Sequence, residues 1–239
     1  MVNLINNLNK NKIINNLEEI HISQFKDKNN KMFGFKAIGT NTTSNNFCLK
    51  MYNPKSKTKV NKTNLEDNIN LMNYVKICNF NKWCNFTLWT KRKDIINKFF
   101  DKHQKPDNLI IVYSNPIIDK PIYEAFGYFD KVFNNVTEDN LKDLQNCTGQ
   151  RCIDCLRCYN KSDDIKDNII FEKTKKQKKD SKNICESCYS HRSINYRHHT
   201  MKPPLQRNSD LLTKELKEIQ IPKIIDRFFR FNHHGELIS

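Results

Sequence analysis

The run Asn108-Leu109-Ile110-Ile111-Val112-Tyr113 decides how the chain is read. A strand with one wet face alternates apolar and polar residues, so an unbroken apolar run bounded by turn residues marks a strand covered on both faces. Pro106-Asp107 precedes it, and Ser114-Asn115-Pro116 closes it with a turn. Upstream, Asp94, Ile95, Ile96, Phe99 and Phe100 give a helix over roughly 92–103, and Asn85-Phe-Thr-Leu-Trp-Thr90 before it is a strand. Leu65, Ile69, Met72, Val75 and Ile77 give an earlier helix with Asn64 as its N-cap. Downstream, Asp130–Asn134 is a shorter strand. Asn208-Ser209 caps a helix carrying Leu211, Leu212, Leu216 and Ile219, which Pro222 ends, and Arg227-Phe-Phe-Arg-Phe231 is the last strand. Helices alternating with short apolar strands predict an α/β protein, with βα units around a parallel sheet that is open or curled into a partial α/β barrel. Val2, Leu4, Ile5, Leu8, Ile13, Ile14, Leu17 and Ile20 form a rough helical stripe, so residues 1–30 read as an N-terminal helical extension and 31–239 as a single α/β domain. Within that domain, residues 31–52 read as short extended pieces.

The chain has 239 residues, of which 37% are hydrophobic, enough to bury a core. Asn and Lys are heavily used and Gly is scarce, the bias an AT-rich coding sequence gives. With 5 glycines, no GxGxxG and no GK[ST], a glycine-rich phosphate loop is excluded. No Ser/His/Asp triad and no carboxylate pair is visible. No apolar run reaches the roughly 18 residues of a membrane span, and residues 1–20 carry no export signal, so the expected location is the cytoplasm.

Six of the 9 cysteines fall in two clusters. Cys147, Cys152, Cys155 and Cys158 are spaced C-x4-C-x2-C-x2-C, and Cys185 and Cys188 follow as a C-x2-C pair before Tyr189. In a reducing compartment, thiols this close in sequence are metal ligands rather than disulfide partners. Four thiolates leave no open coordination position, so the first cluster reads as a closed structural site for zinc or an iron–sulfur cluster. Such a site needs its sulfurs about 3.5–4 Å apart. Cys48, Cys78 and Cys84 read as single buried thiols. His191, His198 and His199 follow Cys188, so a mixed zinc knuckle is an alternative for that pair. Trp83 and Trp89 are expected in the core rather than as stacking platforms.

The net charge of +15 suits an acidic partner such as nucleic acid. Much of it lies in Lys55–Lys62 and in a basic linker over 173–183, where the plainer reading is solvated linkers. No membrane partner is expected. In parallel sheets, ligands bind at the carboxyl ends of the strands. Those ends here carry Thr90-Lys91-Arg92, Ser114-Asn115, Asn134-Asn135 and Asn232-His233-His234-Gly235-Glu236. Lys91, Ser114, Asn115, Asn232 and Glu236 are therefore the candidate ligand-binding residues, with ordinary polar loops as the alternative.

Several of these segments resemble the phage "gene product eighty-eight" family. The resemblance rests on Thr40-Asn-Thr with Phe47-Cys48-Leu-Lys-Met51, Cys185-Glu-Ser-Cys188-Tyr189, Phe229-Arg-Phe-Asn232 with Gly235-Glu236, Leu88-Trp-Thr-Lys-Arg-Lys-Asp94, Ile111-Val-Tyr-Ser-Asn-Pro116, Phe129–Phe133 and Cys147–Tyr159. It covers roughly residues 30–239. In the family the Cys-x2-Cys-Tyr segment and the Phe-Arg-Phe-Asn strand precede the Leu-Trp-Thr-Lys-Arg strand, whereas here they come last. A real rearrangement, with joins in the lysine-rich stretches, and a misassembled or truncated reading frame are both open. The family order implies that Arg227–Phe231 pairs in parallel beside Asn85–Thr90. The resemblance further implies remote kinship with radical S-adenosylmethionine proteins, with Cys48 joining Cys185 and Cys188 on a cluster whose open iron takes S-adenosylmethionine. A zinc-bearing nucleic-acid-binding protein without catalytic activity is the competing expectation.

Overall fold

Hydrogen bonding gives strands β1 (Ser23–Gln24), β2 (Lys36–Ile38), β3 (Asn85–Thr90), β4 (Leu109–Ser114), β5 (Lys131–Val136), β6 (Ile169–Lys173) and β7 (Phe228–Phe231). Among the described residues the long helices are α1 (Ile69–Phe80), α2 (Lys93–Phe100) and α3 (His198–Leu212). The structure, a computed structural model, describes residues 18–40, 68–137, 143–174, 184–187, 196 and 198–237. The strands form one sheet in the order β1-β2-β7-β3-β4-β5-β6, parallel throughout except for the antiparallel edge strand β1. β6 and β1 are the two ends of that order, so the described sheet is open rather than barrel-like.

The decisive pairing is the one made by the last strand. Asn85 to Leu88 of β3 lie beside Phe228 to Phe231 of β7 in parallel register, as expected. The other edge of β7 carries β2, so the C-terminal strand fills the middle of the sheet. The pleat then sorts side chains between two faces. Phe86 and Leu88, Leu109, Ile111 and Tyr113, and Phe229 and Phe231 turn toward one large core with Leu71, Tyr74 and Ile77 of α1, Ile95, Ile96 and Phe99 of α2, and Leu211 and Leu212 of α3. Trp89, Ile110, Val112, Phe133 and Ile170 turn to the opposite face. Among the described residues no long helix covers that second face; residues 143–168 cross it.

Local chemistry explains the elements. Asn68, rather than Asn64, caps α1, its Oδ1 accepting from Leu71 N at 2.9 Å. α2 carries Asp94 in its first turn and Lys98 in its last, matching the helix dipole. Asp130 accepts from Ile111 N and from Lys105 Nζ, fastening the start of β5 to β4.

Several expectations change. Asn208 and Ser209 do not start a helix: α3 is already under way at His198 and ends at Leu212, leaving Leu216 and Ile219 outside it. Asn208 is held instead by tertiary bonds, accepting from His21 N and donating to His21 O and Gly39 O. Of the N-terminal helical extension over residues 1–30, residues 1–17 lie outside the described residues, while Ser23–Gln24 joins the sheet because β2 offers it a free edge. β6 was not anticipated: it follows the cysteine cluster directly and merges with the lysine-rich run. Asn134 and Asn135 sit inside β5, not beyond its end. Trp83 is 52% exposed, with its indole N–H on Ile224 O at 2.6 Å, and so lies outside the core. Cys48, Cys188, Lys55–Lys62, His191 and residues 175–183 lie outside the described residues. No helix among the described residues is long and apolar enough to cross a membrane.

Candidate metal centre

Cys147, Cys152, Cys155 and Cys158 lie on the segment that crosses the second face of the sheet. Backbone bonds fasten it at both sides. Cys147 N donates to Phe171 O at 3.0 Å and Cys147 pairs with Glu172 as a parallel bridge beside β6, while Cys152 N donates to Lys31 O at 2.8 Å on the β1–β2 side. In the middle, Thr87 Oγ1 donates to Cys158 O at 3.1 Å and Asn85 Nδ2 to Tyr159 O at 3.4 Å. Cys152–Cys155 forms a single helical turn, Leu156 takes a left-handed conformation at φ 52°, and Arg157–Tyr159 forms a 3-10 turn. The left-handed residue reverses the chain between Cys155 and Cys158.

The four thiols form one electrostatic group. Every pairing among them is close enough for each to perturb another's ionisation. Burial pushes the Cys158 thiol far up, and burial raises Cys147 and Cys152 as well. Opposing this, the Gly149 N–H donates to the Cys147 sulfur. Gly149 adopts φ +96°, a conformation that disfavours a side chain. Lys31 favours the thiolates of Cys147 and Cys152, and Arg230 those of Cys152 and Cys158. Among the described residues no three His, Cys, Asp or Glu side chains are gathered closely enough to hold a metal ion as they stand. The donor set suits zinc or an iron–sulfur cluster, since both take four thiolates, and binding would release protons from the raised thiols.

Lys31 and Arg230 were not legible as site residues. Lys31 is ion-paired with Glu172 across the cluster. Arg230 carried one signal, a charged residue inside an otherwise apolar strand.

The strand-end residues form a second polar assembly. Glu236 is 2% exposed; its carboxylate accepts from the Thr90 hydroxyl, from Lys91 N at 2.9 Å and from Leu237 N at 2.9 Å. Asn232, left-handed at φ 56°, accepts from the Tyr74 hydroxyl at 2.9 Å. Burial raises Tyr74 above the ordinary tyrosine range, and Glu236 adds to that. Burial likewise raises Tyr113, with Glu236 adding and Lys91 opposing. Asn70 is buried beside Tyr74 and partly offsets the rise in the Tyr74 hydroxyl. Asn232 and Glu236 thus meet, with Tyr74 and Asn70 as members that sequence reasoning missed. Ser114 and Asn115 stand apart from them. Asn115 donates to Lys120 O and Asn134 Oδ1 and accepts from Ile117 N, which fixes its own loop. Cys185 is buried, and the neighbouring Ile184 N donates to Pro116 O at 2.9 Å beyond β4.

Fold and site together define an open α/β sheet protein with helices on one face and a four-cysteine crossing segment on the other. No protein-family model, curated protein or solved structure matches the chain.

Proposed function

We propose that this chain is a metal-binding α/β protein in which Cys147, Cys152, Cys155 and Cys158 hold zinc or an iron–sulfur cluster against the face of the sheet opposite α1, α2 and α3. The observation that carries the reading is the mutual proximity of the four thiols on a segment whose backbone is fastened on both flanks. Bringing the sulfurs onto one ion asks for them to draw closer than they stand. A closed four-thiolate centre would clamp the crossing segment onto β3, β4 and β6, doing for this face what helices do for the other. The test is metal analysis and visible absorption of protein purified without oxygen. Zinc in colourless protein, or iron with a charge-transfer band, supports the centre and names its metal; protein with neither ends the reading. Cys158→Ser should lower metal content several-fold, whereas Cys78→Ser should leave it unchanged.

A second reading rests on Cys185, whose segment docks beyond the carboxyl end of β4, the end at which parallel sheets bind ligands. There the kinship with phage and radical S-adenosylmethionine proteins would place Cys48, Cys185 and Cys188 on a second cluster. Equal loss of iron in Cys48→Ser and Cys188→Ser supports it, and unchanged iron in Cys48→Ser ends it. Nucleic-acid binding through the basic stretches, in the cytoplasm, is the alternative for a zinc-only protein.

A further inference from the structure

β7 carries the apolar run Phe228–Phe231, yet its third residue is an arginine. The pleat turns Arg230 away from the helices, to the face that the cysteine segment covers. Its guanidinium carbon lies 4.3 Å from the centroid of the Trp89 ring, and Nη1 lies 3.5 Å from the sulfur of Met32. Nε is buried and makes no hydrogen bond. No carboxylate among the described residues forms an ion pair with Arg230, although those of Lys31, Lys36, Arg92 and Lys105 each have one. A largely covered cation against an indole and a thioether is costly without an anion nearby.

The ionisable groups around it are thiols, a tyrosine and the neutral His233 and His234, none of them an anion as they stand. Arg230 acts on Cys152 and Cys158 and on the buried Tyr159 between them and Phe228. Neutral thiols offer a guanidinium no compensating charge. Four thiolates around a divalent ion leave a net charge of about −2, held where water is largely excluded.

We propose that Arg230 is the counter-cation of the metal centre, held in place by Trp89. This inference rests on the four-cysteine reading and extends it. Lys31 already has Glu172, so Arg230 is the charge that the loaded centre gains most from. A cation that the metal-free state leaves uncompensated biases the protein toward the loaded form. Trp89 packs against the same apolar cluster as Cys147 and Cys158 and lies beneath Arg230, and so reports loading through its fluorescence.

The test uses the full chain, stripped of metal and titrated with zinc against a chromophoric chelator, with Arg230→Met, Arg230→Lys and Arg227→Met compared. Partners that orient or compensate metal ligands typically change affinity by 10–100-fold. Arg230→Met should therefore weaken zinc binding by roughly that factor, Arg230→Lys by less, and the exposed Arg227→Met not at all. The separating readout is the metal-free melting temperature. Removing an uncompensated cation leaves it unchanged or raises it, whereas removing a merely structural arginine lowers it. Zinc affinity of Arg230→Met within twofold of the parent, or weaker binding matched by an equal loss of metal-free stability, overturns the proposal. A parent chain that binds neither zinc nor iron fails at the four-cysteine reading itself, and the Arg230 proposal goes with it.

Discussion

At the scale of single residues, the asparagines are the surprise. In composition they look like a coding bias; in the fold several are buried fasteners. Asn73 donates to Leu212 O and Lys214 O and accepts from Leu216 N, tying α1 to the end of α3. Asn81 joins Ile77 O to Pro222 O and Ile224 N, and Asn108 donates to three carbonyls around the end of α1. A side-chain amide suits this because it offers donor and acceptor together and imitates a missing peptide group. Asn208→Ala removes the partner of His21 N, His21 O and Gly39 O at a fully buried position. It should cost on the order of 3 kcal/mol in urea unfolding, and a loss below about 1 kcal/mol would mean that water replaces the amide. Gly39 is equally constrained: a Cβ there would lie 2.4 Å from His233 Cε1. Gly39→Ala should lose about 1–3 kcal/mol. Because the clash is with one ring, the loss should shrink in a His233→Ala background, a coupling that a double-mutant cycle measures.

At the scale of elements, β7 and the crossing segment carry the architecture. Phe231 stacks on Tyr74 of α1 at 4.2 Å and on Phe86 of β3 at 5.1 Å, between helix and sheet. Phe231→Ala should cost about 3–5 kcal/mol, measured by denaturant unfolding. Ile225→Ala, only three positions before β7 but 78% exposed, should stay within about 0.5 kcal/mol. A comparable loss at both sites would contradict the central position of β7. The crossing segment has only short helical turns of its own, so on the proposed reading a metal would hold it in place. Chelation should lower the melting temperature and raise the binding of a hydrophobic dye to the uncovered face around Ile110, Val112 and Phe133. A melting temperature indifferent to chelator would show that apolar packing alone holds the segment.

At the scale of the whole molecule, the two histidines after β7 set a pH limit. Burial and then His234 lower His233 to about 3, and burial and then Arg230 lower His234 to about 4. His233 is walled in by Phe25 at 5.5 Å and by Gly39. Both stay neutral in the folded chain, while the unfolded chain protonates them below about 6.5. Their contribution is therefore complete above that pH and is lost as pH falls toward 4, by up to about 1.4 kcal/mol per pH unit for each. Unfolding free energies measured between pH 7.5 and 5 should decline, and the decline should flatten in a His233→Gln, His234→Gln variant. An identical slope in the variant would assign the acid sensitivity to other groups.

The sequence by itself determined the periodic elements. β3, β4, α2 and β7 were legible because buried strands and one-sided helices leave runs and stripes that composition cannot hide. The parallel pairing of β7 with β3 was legible through the resemblance, and the four-cysteine cluster through spacing alone. β1 and β6 were not legible: a two-residue strand has no period, and β6 runs into lysines that read as linker. Asn208 passed for a helix cap because a buried amide and a capping amide are the same residue in sequence. Tertiary structure decided which face each strand residue serves, and with it the meeting of Arg230, Lys31, Trp89 and the thiols. The electrostatic influence of Arg230 on a residue as distant in sequence as Cys152 is a property of distance in space, and the chain that encodes it records only their order.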